Sequence, residues 1–240
     1  MKNNYKIIKR DKLKKFKVKR KKDMHLVTLK NCPNKILINL PFVLNEDVSA
    51  LAGMMPDASL IKDLKRVYFG QKKDFDKNLL FKDLLTKLFN PNNKIFIREG
   101  CGVHETYTNS TVLCHFLHYV LDFAKSDEEM RVPKWIFHSP DSVKRAYLRE
   151  AFAMEASVLK SLYEIRFYTK HYIYATEIHC LLKQLGIHSF VKKRIAGLHK
   201  TIQYRVSVYR KENFKEFKEI GFTASLHVER FNKICEKYGI

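Results

Sequence analysis

The stretch GMMPDASL at residues 53–60 decides how this chain is organised, because AFAMEASV at residues 151–158 repeats its pattern. Each stretch has a small residue, three variable residues, an acid, Ala-Ser and an aliphatic residue. Glu155 therefore follows Asp57 by 98 positions, and at the same offset Lys170 matches Lys72. Repetition over a period of this length indicates a duplicated structural unit.

Hydrophobic periodicity and turn residues predict the same element order, αββαββα, around each acid. The helix before the acid is predicted over about 46–56 in the first unit and 142–154 in the second. The first unit continues with strands at 59–65 and 67–72, a helix at 76–89, strands at 94–98 and 104–109 and a helix at 111–123. The second continues with strands at 157–162 and 164–169, a helix at 175–185, strands at 190–196 and 202–210 and a helix at 212–220. The predicted fold class is α+β.

Five segments follow from this reading: a basic N-terminal extension (1–44), a first half (45–124), a charged linker (125–139), a second half (140–222) and a C-terminal helix (223–240). Within the extension, we expect only two apolar strands or a short hairpin after the basic run. The repeat makes no prediction for this segment, since it lies outside both copies.

The charge of the chain indicates a polyanionic partner. It has 240 residues with 46 Lys and Arg against 25 Asp and Glu, a net charge of +21. Residues 1–30 hold 13 of the basic residues and only two acids, so we expect salt-sensitive binding that becomes less so without them. No apolar run is long enough to span a membrane, and the five cysteines lack zinc-ligand spacing. The Lys-rich N-terminus has no apolar segment of the kind found in secretory signals, so we expect no such signal. We expect a soluble, intracellular protein.

The two repeated acids predict a metal site. Asp57 and Glu155 each follow a predicted helix, whose C-terminus disfavours a carboxylate. A divalent cation would offset both charges. Gly53 and Ala151, four residues earlier, would let the two helices approach closely. Either acid alone would be read as a solvated helix-end carboxylate, so the prediction depends on their repetition.

These motifs resemble the LAGLIDADG homing endonucleases, in the double-motif single-chain form found in archaeal introns and inteins. The first motif is similar to ALAGMMPDASL at 50–60 and the second to LREAFAMEASV at 148–158. The similarity extends through LLKQLGI at 181–187 and a segment ending in FKEIGF at 217–222, covering roughly residues 45–222. Splice-junction residues of an intein are absent, so the sequence resembles a free-standing enzyme.

The resemblance implies two pseudo-symmetric halves whose motif helices pack about a pseudo-twofold axis, each with a curved antiparallel four-stranded sheet across the major groove of double-stranded DNA. It implies Asp57 and Glu155 as ligands of Mg²⁺ (or Mn²⁺), cleavage of both strands with short 3′ overhangs, and catalytic roles for Gln71, Lys72 and Lys170. Candidate DNA contacts are Lys62, Arg66, Tyr68, Arg98, Thr106, Lys160, Arg166, Lys192, Arg194 and Arg205. The partners and setting implied are target DNA, intron RNA as a further partner, no membrane, a monomer, and the nucleoid-associated cytoplasm.

The sequence also departs from the family pattern. Ala58 and Ala156 replace the glycine that usually follows each acid, and Glu150 replaces a small residue in the second motif. Alanine disfavours a left-handed backbone, so the acids could be displaced and cleavage weakened. Two alternatives stay open: a DNA- or RNA-binding descendant such as an intron maturase or regulator, and an unrelated basic RNA-associated protein.

Overall fold

A computed structural model describes residues 5–72, 74–100, 102–196 and 201–240. It has the predicted α+β architecture with αββαββα twice. The first half contains α1 (Glu46–Gly53), β6 (Ala58–Leu60), β7 (Arg66–Gln71), α2 (Phe75–Phe89), β8 (Phe96–Gly100), β9 (Val103–Asn109) and α3 (Thr111–Tyr119). The second contains α4 (Asp141–Glu155), β10 (Ala156–Leu159), β11 (Glu164–Thr169), α5 (Tyr172–Gln184), β12 (Ser189–Ala196), β13 (Thr201–Tyr209) and α6 (Lys211–Lys218), followed by α7 (Ser225–Tyr238).

Two equivalent antiparallel sheets form the centre of the halves, in the orders β6-β7-β9-β8 and β10-β11-β13-β12. Each is four-stranded, as the resemblance implies. Along β7, Val67 and Phe69 are fully buried, and Phe69 stacks on Phe81 of α2 with ring centroids 4.6 Å apart. Because side chains alternate along a strand, the opposite face of each sheet is left open.

The N-terminal segment contains more structure than the expected hairpin. Its strands are β1 (Ile7–Ile8), β2 (Lys17–Lys21), β3 (Met24–Thr28), β4 (Lys35–Ile38) and β5 (Phe42–Val43). β2, β3 and β4 form an antiparallel sheet in that order, and β1 pairs with β5. Phe42 contacts the rings of Phe89 and Phe116, so this segment shares the core of the first half.

Two predicted element ends are wrong for local reasons. The first motif helix ends at Gly53 rather than Pro56, because proline has no N–H to donate, and residues 55–57 form a 3₁₀ turn. The first strand after it ends at Leu60, and residues 62–64 turn with positive φ values of 56°, 51° and 61°. Lys62 therefore lies in this turn rather than in a strand. In the second half β10 ends at Leu159 instead of residue 162, so Lys160 also lies in a turn.

The halves meet where α1 crosses α4. A Cβ atom on Gly53 would lie 2.4 Å from the backbone oxygen of Tyr147 and 3.1 Å from the nitrogen of Ala151. Ser49, one turn earlier and fully buried, donates its hydroxyl to the backbone oxygen of Val143 at 2.6 Å. Small residues on α1 thus let two backbones touch, as the repeat predicted.

A buried ion pair explains why a glutamate is accommodated at position 150, where the family pattern has a small residue. Its Cβ would lie 3.0 Å from a Cβ on Gly53, but its carboxylate turns away to Lys77 of α2 at 2.9 Å. Thr223, just before α7, donates to the same oxygen at 3.0 Å. Both charged side chains are about 4% exposed. The glutamate therefore ties α4 to α2 and α7 without widening the helix crossing.

Among the described residues, no helix has the length and apolar character needed to cross a membrane.

We expect Gly53→Ala to destabilise the protein by about 1–3 kcal/mol, the usual cost of overpacking. Alanine would favour the helix by about 1 kcal/mol, but its methyl group would meet backbone atoms that cannot rotate away. Gly100→Ala is the matched control, because nothing lies within 4 Å of a Cβ there. Urea unfolding measures both, and equal stability of the two variants would contradict the close crossing.

Candidate active site

Asp57 lies at the end of the 3₁₀ turn after α1, and Gln71 at the end of β7 holds it in place. The amide of Gln71 donates to Asp57 Oδ2 at 2.5 Å and also lies 3.4 Å from the sulfur of Met154 on α4. Burial raises the pKa of Asp57, and the bond from Gln71 offsets part of that rise. Gln71 therefore connects the first acid to the end of the helix that carries the second.

Glu155 is the last residue of α4, and its charge is poorly compensated. Burial raises its pKa to about 7, and the negative charges of Asp57 and Asp127 contribute to the rise. The described residues provide no hydrogen bond or ion pair to this carboxylate. An unpaired carboxylate whose pKa is raised by burial and by a neighbouring acid favours a cation between the two acids.

The crossing of α1 and α4 thus brings the two predicted metal ligands together, and the alanines after them do not displace them. Ala58 and Ala156 have φ values of −111° and −105°, which are extended conformations that alanine adopts freely. The expectation that these positions need a left-handed backbone is wrong for this chain. Because neither alanine is forced into a left-handed conformation, backbone strain at these positions gives no reason to expect weakened cleavage.

The acids fit Mg²⁺ or Mn²⁺ chemically, since carboxylate oxygens are the ligands that these hard cations prefer. In the described part of the chain, no group of three or more His, Cys, Asp or Glu side chains is arranged around a metal position. Asp57 and Glu155 would therefore supply two ligands of a shared cation. Water and substrate phosphate would have to complete its coordination.

A cavity of about 230 Å³ beside Glu155 contains Lys170, which is paired with the linker. Lys170 contacts Asp127, and His171 lies 2.7 Å from the other oxygen of the same carboxylate. Burial alone would raise the pKa of Asp127, but the bonds from Lys170 and His171 lower it. By contrast, Lys72, which follows Gln71 in the chain, is exposed and has no ion pair among the described residues.

The two halves of the site therefore differ. Thr169 occupies the position of Gln71 in the second half, and its hydroxyl accepts the backbone N–H of His171 rather than contacting Glu155. Asp127 and His171 were missed at the sequence level. The acidic run at residues 127–129 is a visible signal, but it lies in the linker, outside the repeat.

Residues predicted to contact DNA lie on the open face of the first sheet as a connected group. Arg98 pairs with Glu105 at 2.6 Å, and Tyr68 donates to the same carboxylate at 3.0 Å. Arg66 and Arg98 lie over the ring of Tyr107, 4.7 and 5.2 Å from its centroid. Two arginines and one acid leave this face only weakly positive.

The open face of the second sheet is more basic. Arg166 and Arg205 each have a buried Nε atom without a hydrogen-bond acceptor. Lys192 lies directly opposite Arg205 in the register of β12 and β13. The guanidinium of Arg194 lies over the ring of Tyr168, 5.1 Å from its centroid. Glu164, which binds Arg166 at 2.5 Å, is the acid among these residues. These buried Nε atoms are out of reach of a ligand, but the rest of each guanidinium group suits phosphate or base acceptors.

Thr106 is the exception, and its assignment as a DNA contact is wrong. It is fully buried on the helix-covered face, where the amide of Asn78 donates to its hydroxyl at 3.0 Å. Its neighbours Glu105 and Tyr107 point to the open face instead. Strand register, which the sequence did not specify, decides this alternation.

We expect Glu155→Gln to stabilise the metal-free protein at pH 8 by about 1–3 kcal/mol. The ordinary pKa of 4.5 rises to about 7 on folding, so ionisation above that range opposes the folded state. The gain should shrink toward zero near pH 5, where the folded carboxyl is protonated. Urea unfolding in EDTA at each pH measures the difference in stability between the variant and the unsubstituted protein, with Glu236→Gln at an exposed position as the control. A loss of stability at pH 8 would contradict the unpaired charge.

Comparison with known proteins agrees with this geometry. The family model described as LAGLIDADG-like domain matches residues 142–221. No curated protein matches the chain. The homing endonuclease I-DmoI, studied as mesophilic variants, is similar with 17% identity and a TM-score of 0.55 over 74% of this chain and 96% of that one. Its complex with DNA and Mn is similar with the same identity and TM-score, over 76% and 98%.

A second kind of protein shares the architecture. Full-length DUF199/WhiA from Thermatoga maritima is similar with 13% identity and a TM-score of 0.51, over 82% of this chain and 62% of that one. Similarity at these identities establishes the fold, and it confirms the resemblance drawn from the two motifs. This chain therefore carries a LAGLIDADG-like domain at residues 142–221 and has the two-half fold of the LAGLIDADG homing endonucleases.

Proposed function

We propose that this protein is a site-specific double-stranded DNA endonuclease of the homing type, which uses Mg²⁺ or Mn²⁺ and leaves short 3′ overhangs. The observation that carries the proposal is the pairing of Asp57 and Glu155 at the helix crossing, each raised in pKa by burial. Two acids beside a phosphodiester bond would hold the metal ion that assists its hydrolysis. We propose that the protein acts as a monomer, because both acids come from one chain.

Binding would use the open faces of the two sheets. Arg166, Arg194 and Arg205 supply guanidinium groups, and Lys192 adds a further cation in the same strand pair. Phosphate contacts of this kind position the duplex, while side chains that reach base edges give sequence preference. The stronger charge of the second sheet predicts that the second half contributes more of the salt-sensitive affinity.

The residues around the acids would have distinct roles in hydrolysis. Mg²⁺ held by Asp57 and Glu155 would supply Lewis acidity for activating water and stabilising the leaving oxygen. Gln71 fixes the orientation of Asp57 through its 2.5 Å bond. Exposed Lys72 would neutralise charge on the phosphate near the first half. Lys170 would do the same in the second half once phosphate replaces Asp127 as its partner.

One observation favours a second candidate, a nucleic-acid-binding descendant that does not cut, such as an intron maturase or regulator. Asp127 already neutralises Lys170, and it adds negative charge beside Glu155. Both effects would lower the affinity of this pocket for phosphate. The cleavage experiment below separates the two functions.

The test is a selection of cleaved duplexes from a random library in Mg²⁺, followed by cleavage and binding assays on the selected site. We expect Asp57→Asn and Glu155→Gln to lower cleavage at least about 100-fold and to change duplex affinity by no more than about three-fold, because neither acid contributes attraction to DNA. Asp83→Asn and Glu236→Gln, at exposed helix positions, are the matched controls.

Three results would count against the enzyme. If the purified protein bound duplexes but cut none in Mg²⁺ or Mn²⁺, the binding descendant would replace it. If both acid variants cut as well as the controls, the metal site would be wrongly assigned. If no duplex were bound at low salt, the open faces would not be a DNA surface at all.

A further inference from the structure

The N-terminal module, residues 5–45, carries a charged surface that the proposed endonuclease does not use. It contains 13 Lys and Arg and two acids. Within the described ranges, none of these cations forms an ion pair with a carboxylate. Unpaired cations at this density repel one another. They suggest that the module's partner is a polyanion.

The strand register places three of these charges, Lys17, Lys19 and Lys21 of β2, on one face of the module. Val18, Val27 and Ile36 are paired across β2, β3 and β4, and the last two are fully buried. Lys17 and Lys19 alternate with Val18 and are exposed. Because the buried face packs on the first half, the lysine face points away from it.

A cleft between the segment before β2 and the end of α3 joins lysines to an exposed aromatic ring. The cleft has a volume of about 380 Å³ and is lined by Asp11, Lys12, Lys14, Lys15, Phe16, Tyr119 and Val120. Tyr119, at the end of α3, is 50% exposed. The ammonium of Lys15 lies 4.2 Å from its ring centroid, and the rings of His115 and His118 contact it edge-on.

An exposed tyrosine beside three lysines matches the requirements of one nucleic-acid form in particular. Proteins bind unpaired strands by stacking bases on aromatic rings while cations follow the phosphates. A duplex hides the faces of its bases, so it could use the lysines but not the ring. The two sheets' open faces contain none of these residues, so the cleft is a separate site.

We propose that the N-terminal module binds an unpaired nucleic-acid strand: a base takes the place of the Lys15 ammonium over the ring of Tyr119, and Lys15 moves to the flanking phosphates with Lys12 and Lys14. This binding requires neither Asp57 nor Glu155, and it does not depend on cleavage. RNA and single-stranded DNA share the chemistry involved, so the experiment compares them directly.

The experiment measures binding of the full chain to labelled 15-nucleotide random-sequence RNA, the matching single-stranded DNA and a duplex of the same length. We expect Tyr119→Leu to weaken unpaired-strand binding at least about five-fold, while Tyr119→Phe keeps it. Replacing Lys12, Lys14 and Lys15 with Gln should lower the salt slope by about two. Duplex affinity should change less than two-fold in each case.

Replacement of Lys211, Lys215 and Lys218 with Gln is the matched charge control, because these exposed lysines share the short helix α6. Thermal unfolding checks that each variant is folded. Tighter binding of RNA than of DNA would identify RNA as the ligand, and equal binding would identify any unpaired strand. Both results support the site.

Other results would overturn it. If Tyr119→Leu bound unpaired strands as well as Tyr119→Phe, the ring would not be a stacking surface. If the α6 control weakened binding as much as the module variant, the effect would be general charge, and the β2 lysines would only protect a strand edge. If duplex affinity fell in parallel, the module would be an extension of the duplex surface.

Discussion

The contact between the backbones of α1 and α4 is the constraint on which the rest of the structure depends. Gly53 allows it, since any side chain there would meet the Tyr147 carbonyl. Crossing helices at this distance brings their C-terminal ends together: Glu155 ends α4, and Asp57 ends the 3₁₀ turn that follows α1. The structure thus holds two half-buried acids with raised pKa values near the helix crossing, an arrangement that a bound cation would stabilise.

Duplication explains the geometry, and departures from it explain the differences between the halves. The sheets have the same strand order, and the acids follow equivalent helices. The surroundings are not equal, because Gln71 supports Asp57 while the linker residue Asp127 occupies Lys170. The two halves therefore present unequal environments to a duplex.

Much of the fold and of the candidate site could be predicted from the sequence, because the repeat aligned the two acid motifs, each of which alone is weak evidence. The αββαββα order, the acid pair and the small residues at the crossing follow from it. Register could not be predicted, so Thr106 was assigned to the wrong face. Contacts between distant residues were also invisible: nothing local connects Glu150 to Lys77 or Asp127 to Lys170. The N-terminal sheet lay outside the repeat altogether.

The most direct test of the helix crossing is an NMR titration of the Glu155 carboxyl carbon in the metal-free protein, assigned with Glu155→Gln. The structure predicts a pKa of about 7, which should fall when Asp57→Asn removes the neighbouring charge. An ordinary pKa near 4.5, or a raised value that Asp57→Asn leaves unchanged, would mean that the two carboxylates do not meet.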